Sequence, residues 1–332
     1  MTVLRVGTRG SALALAQTRA IASTIGAKAG VEIELVPVTT HGDTSRESLS
    51  TLGGTGVFVN ALRDSLLRGE CDLIVHSLKD LPTAAPEGIA LAAVPRRADQ
   101  RDAISARDGL TLDALPQGAR VGTGSPRRVA QLKAERADLQ IVDIRGNVDT
   151  RLGRVHDEAT SADRRLDAVV LAAAGLGRLG RAEVVTQYLA LDQWPTAPGQ
   201  GALALETRET AGRAGEAGRF DVDRAVARAL AAVDHATTRA CTTAERAVLA
   251  GLQAGCSAPL AATALVEDGL LFLTATVYRP DGSERITSSH AASLESSGLP
   301  ALLEAANDAA ERVVAELFDA GAAEIAALGG AS

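Results

Sequence analysis

Two stretches of this chain repeat one grammar: a β-branched strand, a turn carrying Gly, Ser and Arg, then an amphipathic helix. That repetition limits the fold more than any other feature, because a strand–helix–strand unit demands a parallel sheet covered by helices. In the first stretch Thr2 to Gly7 reads as a strand, Ser11 to Lys28 as a helix and Val31 to Thr39 as the next strand. A polar Gly/Ser/Thr loop from Thr40 to Gly56 follows, then a helix near Val57 to Arg68 and strands at Cys71 to Ser77 and Ile89 to Val94. The pattern restarts with strands at Ala119 to Thr123, Gln140 to Ile144 and Asp167 to Ala172, separated by helices at Ser125 to Glu135 and Val148 to Glu158. A strand at Gly201 to Glu206, reached through a Pro/Gly-rich passage, is placed to return to the first unit. From Asp221 the texture becomes helical, then gives strands at Leu260 to Val266, Leu270 to Arg279 and Ser283 to Ser289, and a helix from about Leu299 to Leu328. The chain of 332 residues therefore reads as two α/β units and an α+β tail, joined by the Gly/Arg-rich linker Ala211 to Arg219.

Charge narrows the function. The net charge of −7 disfavours a general nucleic-acid partner, yet Arg96 to Arg181 carries 16 basic against 12 acidic residues. A locally basic segment in an acidic chain suits capture of a small polyanion better than a DNA groove. No apolar run approaches the roughly 20 residues of a membrane helix. The start does not read as a signal peptide, so a cytoplasmic protein is expected. Three cysteines (Cys71, Cys241, Cys256) at irregular spacing make neither a disulfide framework nor a zinc site. There is also no GxxxxGK[ST], HExxH or GxSxG motif.

Ligands of open α/β sheets bind at the carboxyl ends of strands, and this sequence repeatedly places arginines there. Arg9 and Ser11 follow the first strand, with Ser11 set to cap the helix and leave N–H groups facing outward. Ser125 repeats the device, with Pro126 first in the helix and Arg127 and Arg128 in its first turn. Cations at a helix N-terminus are unfavourable for the helix itself, so these two arginines read as ligand contacts, with a solvated face as the alternative. Arg145 and Arg151 flank a third strand end and Arg178 follows a fourth, a set suited to binding several carboxylates. At His76-Ser-Leu-Lys79-Asp80, Asp80 reads either as a local cap or as a carboxylate stabilising a cation on the substrate. Lys79 would hold a substrate carboxylate beside it, and His76 alone reads as structural. Cys256, taken alone, reads as a small buried hydrophobe.

Thr8-Arg-Gly-Ser11, His76-Ser-Leu-Lys-Asp-Leu-Pro-Thr83, Gly122-Thr-Gly-Ser-Pro-Arg-Arg128, Arg145-Gly-Asn-Val-Asp-Thr-Arg-Leu152, Leu171-Ala-Ala-Ala-Gly-Leu176, Pro198-Gly-Gln-Gly-Ala-Leu-Ala204 and Gly255-Cys256, in this order, resemble the porphobilinogen deaminase (hydroxymethylbilane synthase) family. The resemblance implies two type II periplasmic-binding-protein-like α/β domains, 1–95 with 196–212 and 96–195, plus a small α+β C-terminal domain, 213–332. It implies a dipyrromethane cofactor attached to Cys256 through a thioether. Four porphobilinogen molecules would be condensed on it stepwise with loss of ammonia through an azafulvene-like electrophile, and hydrolysis would then free hydroxymethylbilane. Asp80 would be catalytic. Lys79, Asp80, Ser125, Arg127, Arg128 and Arg145 would hold the cofactor, while Arg9, Ser11, Phe58, Arg151 and Arg178 would meet substrate. No metal, nucleic-acid or membrane partner is implied, and the chain would act as a monomer. Thr55 and Asn60 stand where this family usually has lysines, Pro126 replaces a common leucine, and Ser257-Ala258 is unusual after the cysteine. The main rival is a non-catalytic two-lobed protein that binds small polyanions; a regulatory effector domain without its DNA-binding partner is the second.

Overall fold

The computed structural model describes residues 2–38, 56–84, 86–209, 220–255, 258–294, 298–326 and 328, with no side-chain description for 56–58 and 220–221. The loop from Thr40 to Thr55, the linker Ala211 to Arg219, Cys256 with Ser257, and the side chain of Phe58 therefore lie outside what is described. Among the described residues no helix is long and apolar enough to cross a membrane.

The first elements are β1 (Val3–Arg9), α1 (Ala12–Ala29), β2 (Glu32–Val38), α2 (Gly56–Leu67), β3 (Leu73–Ser77) and β4 (Ile89–Ala93). Then come β5 (Asp102–Ala106), β6 (Arg120–Gly122), α3 (Pro126–Glu135), β7 (Gln140–Val142), α4 (Val148–His156), β8 (Ala168–Ala172), α5 (Ala173–Arg178), β9 (Gln187–Tyr188) and β10 (Leu203–Arg208). The remainder is α6 (Phe220–Val233), α7 (Ala236–Gly251), β11 (Leu260–Glu267), β12 (Leu270–Tyr278), β13 (Arg285–Ser293), α8 (Leu299–Asp319) and α9 (Ala322–Ile325).

The chain divides into two compact units, Met1–Arg97 with Ala202–Arg239, and Ala98–Gly201 with Ala240–Ser332. The first holds a five-stranded sheet of order β2-β1-β3-β10-β4. β1 runs parallel to β2 and β3, while β10 inserts antiparallel between β3 and β4. Return of the chain to the first unit, expected at Gly201 to Glu206, thus takes the form of a central antiparallel strand. Leu4 and Val6 of β1, Leu73 and Val75 of β3 and Leu205 of β10 form the core with Ile21 and Ile25 of α1. Ala225, Val226, Ala229, Leu230 and Val233 of α6 join that core. These positions recur at three- and four-residue intervals, which makes one apolar stripe on a helix.

The second unit contains a sheet of the same plan, β7-β6-β8-β5-β9, with β6 parallel to β7 and β8 and β5 antiparallel to β8. It also holds the meander β11-β12-β13. Along β12, Leu271, Leu273, Ala275 and Val277 are all fully buried, and α8 packs on this sheet. Alternation with period two gives the sheet its single apolar face. The long helix expected to Leu328 ends at Asp319, and a turn separates it from the short α9.

The passage from β9 to β10 is tight. Gly201 has φ +85°, and a Cβ there would lie 2.8 Å from the carbonyl oxygen of Ala98. Both the left-handed backbone and the close approach require glycine. Gly201→Ala is expected to lower stability by about 1–3 kcal/mol, read as a fall in urea midpoint at unchanged m-value.

Candidate active site

In the first unit β1 and β3 are parallel neighbours, so the turns leaving their carboxyl ends lie side by side. Arg9 ends β1, and Ser11 caps α1 by accepting from the Ala14 N–H at 3.3 Å. After β3 the chain makes a single 3₁₀ turn, Leu78–Asp80. Between these turns is a pocket of about 460 Å³ including its open mouth, lined among others by Arg9, Ser11, Gln17, His76, Ser77 and Asp80. Ser77 Oγ donates to Gln17 Oε1 at 3.2 Å, fixing one wall. The Asp80 carboxylate accepts no hydrogen bond from another described residue, so the local-cap reading is not realised there. Arg9, Ser11 and Asp80, about 70 residues apart in sequence, are brought together. Lys79 shares the 3₁₀ turn and is half-buried, but it does not line the pocket.

The second unit repeats the arrangement with different chemistry. β6 lies between β7 and β8, and the turn after it leads to Ser125, which caps α3 by accepting from the Arg128 N–H at 3.5 Å. A Cβ on Gly124 would sit 2.8 Å from the Ile144 carbonyl oxygen, so glycine lets this turn press against the one carrying Arg145. Arg127 and Arg128 are buried, neither solvated nor open. Both reach Asp102 at the start of β5, Arg127 at 2.9 Å and Arg128 at 2.5 Å. Asp102 also accepts from Trp194 Nε1 at 3.0 Å and Gln200 Nε2 at 2.8 Å. Burial alone would push the Asp102 carboxyl up, but the two guanidinium charges outweigh it and hold the group well below the usual carboxylate range. Arg127 further donates to Gln131 Oε1 at 2.6 Å and the Pro195 carbonyl at 3.2 Å, and Arg128 to the Val170 carbonyl at 3.0 Å.

Arg151 differs. Its Nε donates to the Gly146 carbonyl at 2.9 Å, and it forms no ion pair with a described carboxylate. Burial lowers its pKa, and the charges of Arg128 and Arg145 lower it further against a smaller opposing effect of Asp143. Arg145 is about half exposed and lies 3.9 Å from Asp143. Four guanidiniums, of Arg127, Arg128, Arg145 and Arg151, are thus set against two carboxylates, of Asp102 and Asp143. The surplus positive charge, with the N–H groups opening α3, suits a ligand with several carboxylates. Arg178, at the end of α5, donates from Nη2 to the Gly201 carbonyl at 2.7 Å and so supports the passage into β10.

Sequence reasoning missed Asp102, Gln200 and Trp194. The available signal was an acid heading the short run Asp102-Ala-Ile-Ser-Ala106, whose five residues are all buried. An acid in such a run needs buried cations to meet it.

Two sheets of one plan, each with polar turns at the strand ends and one with excess guanidinium charge, define an α/β protein adapted to an acidic small molecule. Residues 4–215 match the family described as porphobilinogen deaminase, dipyrromethane cofactor binding domain, and residues 239–316 match porphobilinogen deaminase, C-terminal domain. The chain is 65% identical over 327 residues to the porphobilinogen deaminase of Leifsonia xyli subsp. xyli, covering 98% of this chain and 95% of that one. It is 50% identical to that of Thermobifida fusca, covering 98% and 96%. A solved structure it is similar to is the methionine binding protein MetQ, at 14% identity and TM-score 0.39, covering 70% and 98%. The chain belongs to the porphobilinogen deaminase family. It is accordingly a transferase of tetrapyrrole biosynthesis with hydroxymethylbilane synthase activity, and residues 4–215 form its dipyrromethane-binding part. The donor set of the second unit fits such a group, whose acidic arms require more guanidinium than carboxylate.

Asp102→Asn would leave two buried guanidiniums without their shared anion and is expected to destabilise the fold by about 3–5 kcal/mol. Because this carboxyl titrates below its unfolded-chain value, its contribution is complete at neutral pH and is lost only as pH falls below about 4 toward the folded value. The measurement is urea unfolding of both proteins from neutral to acid pH, with the gap between them narrowing on the acid side.

Proposed function

We propose that this chain condenses four porphobilinogen molecules, one at a time, onto a dipyrromethane held covalently by Cys256, and then releases the linear tetrapyrrole hydroxymethylbilane by hydrolysis. The observation that carries this reading is the surplus of guanidinium charge in the second unit, and the Asp80 carboxylate in the pocket of the first, unclaimed by described neighbours, supports it. Bound dipyrromethane supplies a nucleophilic pyrrole α-carbon. Asp80 accepts hydrogen bonds from pyrrole N–H groups and stabilises the cation that forms as ammonia departs. Lys79, Ser125, Arg128 and Arg145 hold cofactor carboxylates, and Arg9, Ser11, Arg151 and Arg178 hold those of the substrate. Arg127 serves the cofactor by fixing Arg128 through their common Asp102. Phe58 stacks on a ring, and Thr55 and Asn60 contribute less positive charge than the lysines usual at these positions in this family.

The same reading assigns three functional domains, 1–95 with 196–212, 96–195 and 213–332, in a cytoplasmic monomer that needs neither metal nor nucleic acid. The packing of α6 on the first sheet means that part of the third segment completes the first core.

Intact mass under denaturing conditions is the first test. An excess over the sequence mass equal to two linked pyrroles, absent from Cys256→Ser, is expected; a chain still unmodified and inactive after incubation with porphobilinogen would favour the non-catalytic polyanion binder. Asp80→Asn is expected to keep cofactor and fold while losing roughly 100-fold or more in kcat. Arg151→Ala is expected to raise KM about tenfold or more, since a charge-assisted hydrogen bond contributes about 1.5–3 kcal/mol.

A further inference from the structure

Glu245 of α7 is fully buried, and a glutamate is almost never fully buried unless its carboxylate is met. It joins two separate backbone segments: Oε2 accepts from the Gly199 N–H at 2.7 Å and Oε1 from the Ala264 N–H at 2.9 Å. Ala264 lies on β11, and Gly199 lies on the passage from Trp194 to Gly201 that leads into β10. Both oxygens of a carboxylate accept, so one side chain can serve two N–H donors at once.

The passage is held on two sides. Toward β11, Thr196 donates its N–H to Thr263 Oγ1 at 3.2 Å and its carbonyl accepts from the Ala262 N–H at 2.9 Å. Toward the arginines, the Pro195 carbonyl accepts from Arg127 Nη1 at 3.2 Å and from Gln131 Nε2 at 2.9 Å. Gln200, next to Gly199, donates from Nε2 at 2.8 Å to the same Asp102 oxygen that Arg128 reaches. A chain of hydrogen bonds thus runs from Glu245 through Gly199, Gln200 and Asp102 to Arg128.

In the other direction Glu245 reaches the chain around Cys256. α7 ends at Gly251, five residues before the cysteine, and β11 starts at Leu260, four residues after it. Before the cysteine, the Ala254 N–H donates to the Leu249 carbonyl at 3.0 Å; after it, the Leu260 N–H donates to the Ala258 carbonyl at 2.8 Å. The Ala258 N–H donates to the Gly255 carbonyl at 3.0 Å. The described residues on either side of Cys256 are therefore tied to α7, to β11 and to each other, and Glu245 ties α7 to β11 and both of them to the passage.

We infer that Glu245 is a positioning residue for the cofactor: by bridging Gly199 and Ala264 it fixes the chain on either side of Cys256 in register with the arginines that receive the cofactor's carboxylates. This rests on the function proposed above, in which Cys256 carries the dipyrromethane and Arg128 holds one of its acidic arms. A group bonded to the protein at one end and gripped by guanidinium at the other makes both contacts without strain only when their separation is set in advance. Glu245→Gln breaks this device with almost no change in volume. A carboxamide keeps one acceptor oxygen and turns an NH2 group toward the second N–H, so one of the two links is lost.

The test is a double-mutant cycle of urea midpoints on the full chain. Its four proteins are loaded wild type, Cys256→Ser, Glu245→Gln after incubation with porphobilinogen, and Glu245→Gln combined with Cys256→Ser, with loading read by intact mass. The midpoint lost through Glu245→Gln is expected to be about twice as large or more in the loaded protein as in the Cys256→Ser background, because the loaded protein also loses the fit of its cofactor. In loaded Glu245→Gln, kcat should fall about tenfold or more while KM stays within about threefold, since the residues assigned to substrate are untouched. A folded Glu245→Gln that takes up no cofactor under conditions that load the wild type also supports the inference. A purely structural carboxylate lowers both midpoints equally, and that result overturns it, as does a substitution without effect in either background. If Glu245→Gln does not fold, Thr263→Val takes its place in the cycle by removing the acceptor of the Thr196 N–H on the same passage, and equal losses again overturn the inference. A wild type without the mass of two linked pyrroles overturns the function proposed above and the inference with it, whereas a loaded, active wild type with equal losses removes only the inference.

Discussion

Asp102 is a fully buried carboxylate that meets two buried guanidiniums, an indole and a carboxamide, and the second unit is organised around it. Any one of these groups buried alone would cost several kcal/mol. Together they close a network that ties β5 to α3, to Trp194 and to the passage holding Gln200. Gln131 extends it by donating to Tyr278 Oη at 3.2 Å, which brings the meander sheet into the same set of hydrogen bonds. The network also decides where the excess positive charge lies. With Arg127 and Arg128 sharing one anion, Arg151 and Arg145 are left as the guanidiniums with least compensation, beside the turn that opens α3.

The elements that repeat the strand–turn–helix grammar were legible because their periodicity, caps and turn residues agree. Ser11 and Ser125 cap the helices they were expected to cap. β10 was legible as a strand, yet its place between β3 and β4 was not, since a strand's partners depend on tertiary packing that local pattern does not encode. β5 was not read at all. It is five residues long, headed by an acid and buried throughout, so it shows neither the alternation of a half-buried strand nor an unbroken apolar run.

At the site the residue types were legible and their allocation was not. Arg127 and Arg128 were expected to meet carboxylates, and they do meet one, but it belongs to the protein. A basic residue in a helix's first turn announces that some anion must face it; only the packed structure says whether that anion is internal. His76 was read as structural because a lone histidine usually is. Its buried neighbours, Glu206 130 residues later and Arg63 on a different element, are brought to it only by the packed fold. Asp80 needed no such partner, because its turn leaves the carboxylate at the pocket.

The two sheets share more than strand order. In each, the antiparallel strand that separates the parallel set from the edge strand carries a buried acid, Glu206 on β10 and Asp102 on β5, and each acid is claimed by arginine from a helix of its own unit. These are the strands that depart from simple βαβ order: β10 arrives after the whole second sheet has been made, and β5 precedes the parallel strands of its own sheet. Until such a strand is in place, Arg63 on one side and Arg127 with Arg128 on the other have no buried partner, and burying them is unfavourable. Completion of each sheet and neutralisation of its interior arginines are therefore one event. A chain that has not made both insertions has neither the wall behind His76 nor the anchored Arg128, so the binding surfaces form only when the topology is complete.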